Sequence, residues 1–127
     1  MRIKILAVIY FLVLVGIIVI ANNPQTAPLL RFVRDLPFGD KIGHFCLMGG
    51  FSFLLNLVLS ARTFPIWRIQ FLLGTVIALV IVTLEEFSQR WFKTRTFDVG
   101  DLLCDFAGIL IFGEIARYLV NRNRVET

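Results

Sequence analysis

Four predominantly apolar runs, residues 5–21, 42–61, 69–84 and 102–119, occupy most of a chain of 127 residues. A helix that crosses a bilayer needs roughly 17–25 mostly apolar residues, because the membrane interior satisfies no backbone N–H or C=O. All four runs approach or reach that length. The third is the shortest, and Ile66 and Trp67 extend it into the interface. Short charged stretches separate the runs, and NNPQTAPLLRFVRDLPFGDK and RTFPIWR are also broken by proline. The mean hydropathy of +0.81 fits this pattern, as does a charged share of 17% against about 25% in soluble domains. The sequence predicts one domain, an all-α membrane protein built as a four-transmembrane-helix bundle with little mass outside the bilayer. It shows no internal repeat, heptad pattern or low-complexity tract.

Arg2 and Lys4 ahead of the first run, and VIA near its end, also suit a signal peptide. The run is longer than the usual hydrophobic core of about 7–15 residues, which favours a retained helix. The net charge of +4 is spread over short loops and tails. That dispersal excludes a nucleic-acid face and points to membrane lipids as the surrounding partner. Cys46 and Cys104 lie inside predicted spans, where thiols act as small packing residues, although a disulfide between facing helices would also fit. With four spans, Arg2, Lys4, Arg62, Arg68, Arg117, Arg122 and Arg124 share one face of the membrane. Arg31, Arg34, Lys41, Arg90, Lys93 and Arg95 share the other. The excess of one, with the α-amino group, places both termini in the cytoplasm.

The carboxylates are far less even. Residues 85–108 hold five of the nine acidic side chains, Glu85, Glu86, Asp98, Asp101 and Asp105, and Asp35 and Asp40 fall on the same face. Three helix ends meet there: DKIGH opens the second helix, EEFSQR closes the third and DVGDLLCD opens the fourth. At about 100° per residue, His44 shares a face with Asp40 and Lys41, Gln89 with Glu85 and Glu86, and Arg90 with Glu86. Asp101, Asp105, Gly108 and Phe112 form one stripe.

Simpler roles compete for several of these residues. Asp40 and Asp98 are placed as helix N-caps, Lys41 as a snorkelling side chain, and Arg90 and Lys93 as solvated loop charges. A lone His44 would ordinarily be a packed, hydrogen-bonded residue, and Asn56 an interhelical hydrogen-bonding one. Capping does not account for Asp105, inside a helix, nor for Glu86, at a helix C-terminus where the dipole disfavours an anion. Ionisable groups at membrane depth normally face the bundle interior. Arg95 is the nearby counter-ion, and a salt-bridge cluster that only pins three helix ends is the structural alternative.

DKIGH, EFSQ and RTFDVGDLLCDFAG together resemble the VanZ-like family of small bacterial membrane proteins. Its pattern is Asp-Lys-x-x-His opening one helix and Glu-x-x-Gln closing the next. An Arg follows, then an Asp about six residues on, with Asn and Gly four and seven residues after it. The matching positions are Asp40, Lys41, His44, Glu86, Gln89, Arg95, Asp101, Asp105 and Gly108, within residues 40–113. The departure is Asp105, where the family usually has Asn. The resemblance implies a polar site in the bacterial cell membrane and a cell-envelope setting, without supplying a reaction.

Three readings follow. On the first, a lipid or envelope-precursor headgroup is bound or transformed. His44, Glu86 and Asp101 are then the candidate catalytic groups, and Asp40, Lys41, Gln89, Arg95 and Asp105 the candidate substrate contacts. On the second, Asp101, Asp105, Glu86 and His44 bind a cation or proton. On the third, the cluster serves packing alone. Glu86, Asp101 and Asp105 are expected around one pocket with His44 and Arg95 at the outer, non-cytoplasmic end of the bundle. The spacings Cys46–Gly50 and Gly100–Cys104–Gly108 predict close packing of the second and fourth helices. No P-loop, dinucleotide-binding glycines or nucleophile elbow is present.

Overall fold

The computed structural model describes residues 1–92 and 96–126. The chain is mainly helical. α1 spans Arg2–Asn22, α2 is the single turn Arg31–Arg34, and α3 spans Gly39–Val58. α4 spans Leu73–Ser88 and α5 spans Val99–Glu126, and the strands β1 (Thr63–Ile66) and β2 (Ile69–Leu72) lie between α3 and α4. By length and composition, α1 and α3 are apolar enough to cross a membrane.

α1 is apolar on all sides, and only Leu14 and Ala21 are buried against protein. It stops at Asn23, which turns extended just before Pro24. A 3₁₀ turn at Ala27–Leu30 and then α2 fold this connection back over the start of α3. Phe38, with φ of 57°, makes the sharp entry into α3.

The packing of α3 on α5 is the central contact of the fold. A Cβ added to Gly108 would strike the Phe45 carbonyl oxygen, and one added to Gly49 would come within 2.6 Å of the Phe112 ring. The expected close approach is therefore present, but α3 contributes Gly49 to it rather than Cys46 and Gly50. Cys46 is exposed, and Gly50 instead meets the Tyr10 hydroxyl of α1, which donates to the Leu47 carbonyl at 2.8 Å. Both cysteines are free thiols.

The third apolar run differs from its expected form. Residues 69–72 are strand, and α4 starts only at Leu73 and runs on to Ser88. β1 and β2 form an antiparallel hairpin in the register Thr63↔Leu72 and Ile66↔Ile69, turning at Trp67 and Arg68. Likewise α3 ends at Val58, short of residue 61, because Ser60 and Ala61 take positive φ. The 16 residues of α4 make about 24 Å of helix, against a hydrocarbon core of about 30 Å. α5 is much longer, and Asp105, Glu114 and Arg117 interrupt its apolar run.

Leu14, Met48, Phe51, Ala78, Val82 and Ile109 form the core where α1, α3, α4 and α5 meet. Among the described residues, seven polar or charged side chains are also buried, while large aliphatic side chains of α1, α4 and α5 point outward. A broad outward apolar surface around a core that also holds buried polar groups is unusual for a water-soluble bundle. Away from the acidic end, Asn56 donates to the Ser52 carbonyl and to Thr75 Oγ1, both at 3.0 Å. Ser52 donates to the Ile109 carbonyl at 2.9 Å. Asn56 is thus the interhelical residue its mid-span position suggests. Ser52 and Thr75, unremarkable in sequence, complete the link across α3, α4 and α5.

Candidate functional site

The first turns of α3 and α5 and the last turn of α4 converge at one end of the bundle. His44 follows Lys41 by three residues and Asp40 by four, the spacings that bring side chains of α3 together on its surface. His44 lies between carboxylates on both sides of its ring. Nδ1 is 2.9 Å from Asp105 Oδ1, whereas Nε2 is 3.8 Å from Asp101 Oδ2 and 3.9 Å from Asp40 Oδ1. Asp105 is fully buried and His44 partly buried, its side chain 15% exposed. A neutral imidazole that donates Nδ1–H to Asp105 keeps Nε2 as an acceptor.

Lys41 Nζ lies 3.2 Å from Asp101 Oδ1 and 3.5 Å from Asp98 Oδ2, so it ties α3 to the start of α5 instead of snorkelling freely. Asp98 behaves as the N-cap its position predicts: Oδ1 accepts the Gly100 N–H at 2.7 Å. That hydrogen bond, with Lys41 beside it, holds the Asp98 carboxyl below its ordinary value. The associated stability is present at neutral pH and is lost as pH falls through the lowered value. Asp40 does not cap. It sits within the first turn of α3, and the capping residue is Phe38, whose side chain makes no cap bond.

Glu86 is fully buried at the end of α4. Its Oε1 accepts the Asp98 backbone N–H at 3.1 Å, and its Oε2 accepts Gln89 Nε2 at 3.0 Å. Gln89, carried into place by the 3₁₀ turn Gln89–Trp91, also donates to Glu85 at 3.0 Å. The side-by-side placement of Gln89, Glu85 and Glu86 agrees with helical spacing. Arg90 does not join Glu86. Its guanidinium lies 4.9 Å from the Phe97 ring centre and 5.3 Å from that of Phe87. Lys93 and Arg95, the latter the expected counter-ion, lie outside the described residues.

A cavity of about 500 Å³ opens beside this cluster. One wall is apolar, with Leu14, Ile17, Ile18 and Ala21 of α1. The other end carries Arg34, Asp40, His44, Glu85, Gln89, Asp98 and Asp101. Glu86 and Asp105 do not line it; Asp105 binds the inward Nδ1 face of the His44 ring. Seven of the eight site residues named from sequence are therefore brought into one neighbourhood. Arg34 was not among them. It reaches the cavity from α2, a single turn too short to show helical periodicity. His44, Glu86 and Asp105 offer ligand atoms that all lie within 4.8 Å of one another, as do Asp40, His44 and Asp101. Compared with known proteins, the chain matches no family model, no curated protein and no solved structure.

Proposed function

We propose that this is an integral membrane protein of VanZ-like type whose cavity binds an amphiphile, a lipid or lipid-linked envelope precursor. The polar headgroup would sit at the His44 end. The observation that carries this reading is the cavity itself, apolar along α1 and ionisable at His44, Asp40, Asp101 and Arg34. A headgroup with both signs of charge complements such an end, and an acyl chain complements Leu14, Ile17 and Ile18. His44 Nε2 faces this space and can exchange a proton with a bound headgroup. The outward apolar surface supports burial in lipid, with α1, α3, α4 and α5 all crossing a bacterial cytoplasmic membrane. α4 would cross with the hairpin's help and with local thinning.

Gly43 provides the test, because it lines the cavity and a Cβ there meets nothing nearer than Val33 Cγ1 at 4.0 Å. Native mass spectrometry of protein extracted in mild detergent is expected to show a retained lipid. Gly43→Leu should fill the cavity and remove that lipid while the melting temperature stays near that of the parent. Equal lipid retention by parent and variant would sink the reading.

The orientation is a separate expectation. In a background with Cys46 and Cys104 replaced by serine, a cysteine at Gln25 should react with an impermeant thiol reagent in intact cells. A cysteine at Thr63 should react only after lysis. The reverse pattern would invert the topology and put the cavity on the cytoplasmic side.

A further inference from the structure

We propose that His44, Glu86 and Asp105 form a binding site for one divalent first-row metal ion, of the Zn²⁺ or Mn²⁺ class, behind the cavity. Glu86 and Asp105 are both fully buried. Among the described residues, neither meets a lysine or arginine within ion-pair distance. Buried carboxylates are costly in an apolar bundle unless a cation meets them.

The donor set is the first argument. One imidazole nitrogen with carboxylate oxygens suits Zn²⁺ or Mn²⁺, and the lack of a thiolate argues against copper(I). The second, independent of the clustering, is Asp105 Oδ2. It belongs to a side chain with no exposure, and among the described residues it has no hydrogen-bond partner. An oxygen with unused lone pairs, on a carboxylate whose other oxygen lies against His44, is a free ligand atom. The two Glu86 oxygens are supported from outside, since Gln89 Nε2 and the Asp98 N–H both donate to them. Such donors orient a ligating carboxylate.

The far side of the imidazole fits the same role. With Nδ1 turned towards the ion, Nε2–H points to Asp101 and Asp40, the carboxylate–histidine–metal order that fixes a ligating ring. The alternative trio of Asp40, His44 and Asp101 is poorer, because Asp101 is engaged by Lys41 and Asp40 is exposed. Ligand atoms within 4.8 Å of one another must draw in to edges of about 3.4 Å around an ion bound at about 2.1 Å. Side-chain rotation would have to supply that contraction. Three protein ligands would leave a coordination position for water or for a group entering from the cavity. This proposal goes beyond amphiphile binding and does not depend on it.

The test uses full-length protein in detergent, stripped with a chelator and then titrated with Zn²⁺ and separately with Mn²⁺ at neutral pH. Bound metal is counted by elemental analysis and affinity is read by calorimetry. About one ion per chain is expected, with affinity at least 10-fold weaker in Glu86→Gln and in Asp105→Asn. Melting curves of the stripped proteins show that the variants are folded, and His44→Gln replaces either one that is not. Absence of stoichiometric binding, or affinity unchanged in the folded variants, overturns the site. Lipid retention measured on the same samples separates the two proposals. Metal without lipid overturns only the amphiphile reading, and lipid without metal overturns only the metal site.

Discussion

Gly108→Leu is expected to abolish accumulation of folded protein, and even Gly108→Ala should lower stability by about 1–3 kcal/mol. The reason is backbone contact. A Cβ at Gly108 would strike the Phe45 carbonyl oxygen and stand 3.2 Å from the Phe45 Cα. Neither atom can rotate away, so relief requires α3 and α5 to separate. That movement would pull His44 from Asp105 and Lys41 from Asp101, because all four side chains are positioned by this helix pair. Gly16 is the control, since a Cβ there meets nothing within 4 Å and Gly16→Ala should be neutral or slightly stabilising. Thermal melts in detergent, with protein yield from membranes, measure both. A Gly108→Ala protein as stable as the parent would refute the close contact.

His44→Leu is expected to cost about 3 kcal/mol in chelator-treated protein. It removes the only described partner of Asp105 and leaves a fully buried carboxylate unpaired. The double variant His44→Leu with Asp105→Leu should recover most of that loss, because both halves of the buried pair are then gone. Asp105→Asn keeps a carbonyl oxygen for His44 Nδ1–H and should cost under about 1.5 kcal/mol. If the single and double leucine variants were equally destabilised, the loss would come from packing and not from the unpaired charge.

The shared faces of the acidic residues within each helix were legible because they depend on spacing alone. Asp40, Lys41 and His44, like Asp101 and Asp105, repeat at the helical period inside long helices, so their faces follow from position. Where α4 begins was not legible, because an unbroken apolar run has no period to separate strand from helix. The hairpin also lacks the usual glycine or asparagine at its turn; Trp67 takes φ of 58° there instead. The choice between Gly49 and Gly50 shows another limit. Both fit small-residue spacing, and only the placement of α1, through Tyr10, gives Gly50 to one neighbour and Gly49 to another. Arg90 was within reach of Glu86 by sequence, yet the stacked rings of Phe87 and Phe97 offered a cation–π surface that a helical wheel cannot show.

His44 is the single histidine of the chain, and its two ring nitrogens face different surroundings. Selective ¹⁵N labelling of histidine therefore yields one isolated pair of imidazole resonances, free of overlap even in a detergent micelle. Their chemical shifts distinguish the two tautomers from the doubly protonated ring, and a coordinated nitrogen from a hydrogen-bonded one. The molecule thus carries its own spectroscopic reporter at the junction of α3 and α5. A bound headgroup would perturb the Nε2 signal first, and a bound metal ion the Nδ1 signal.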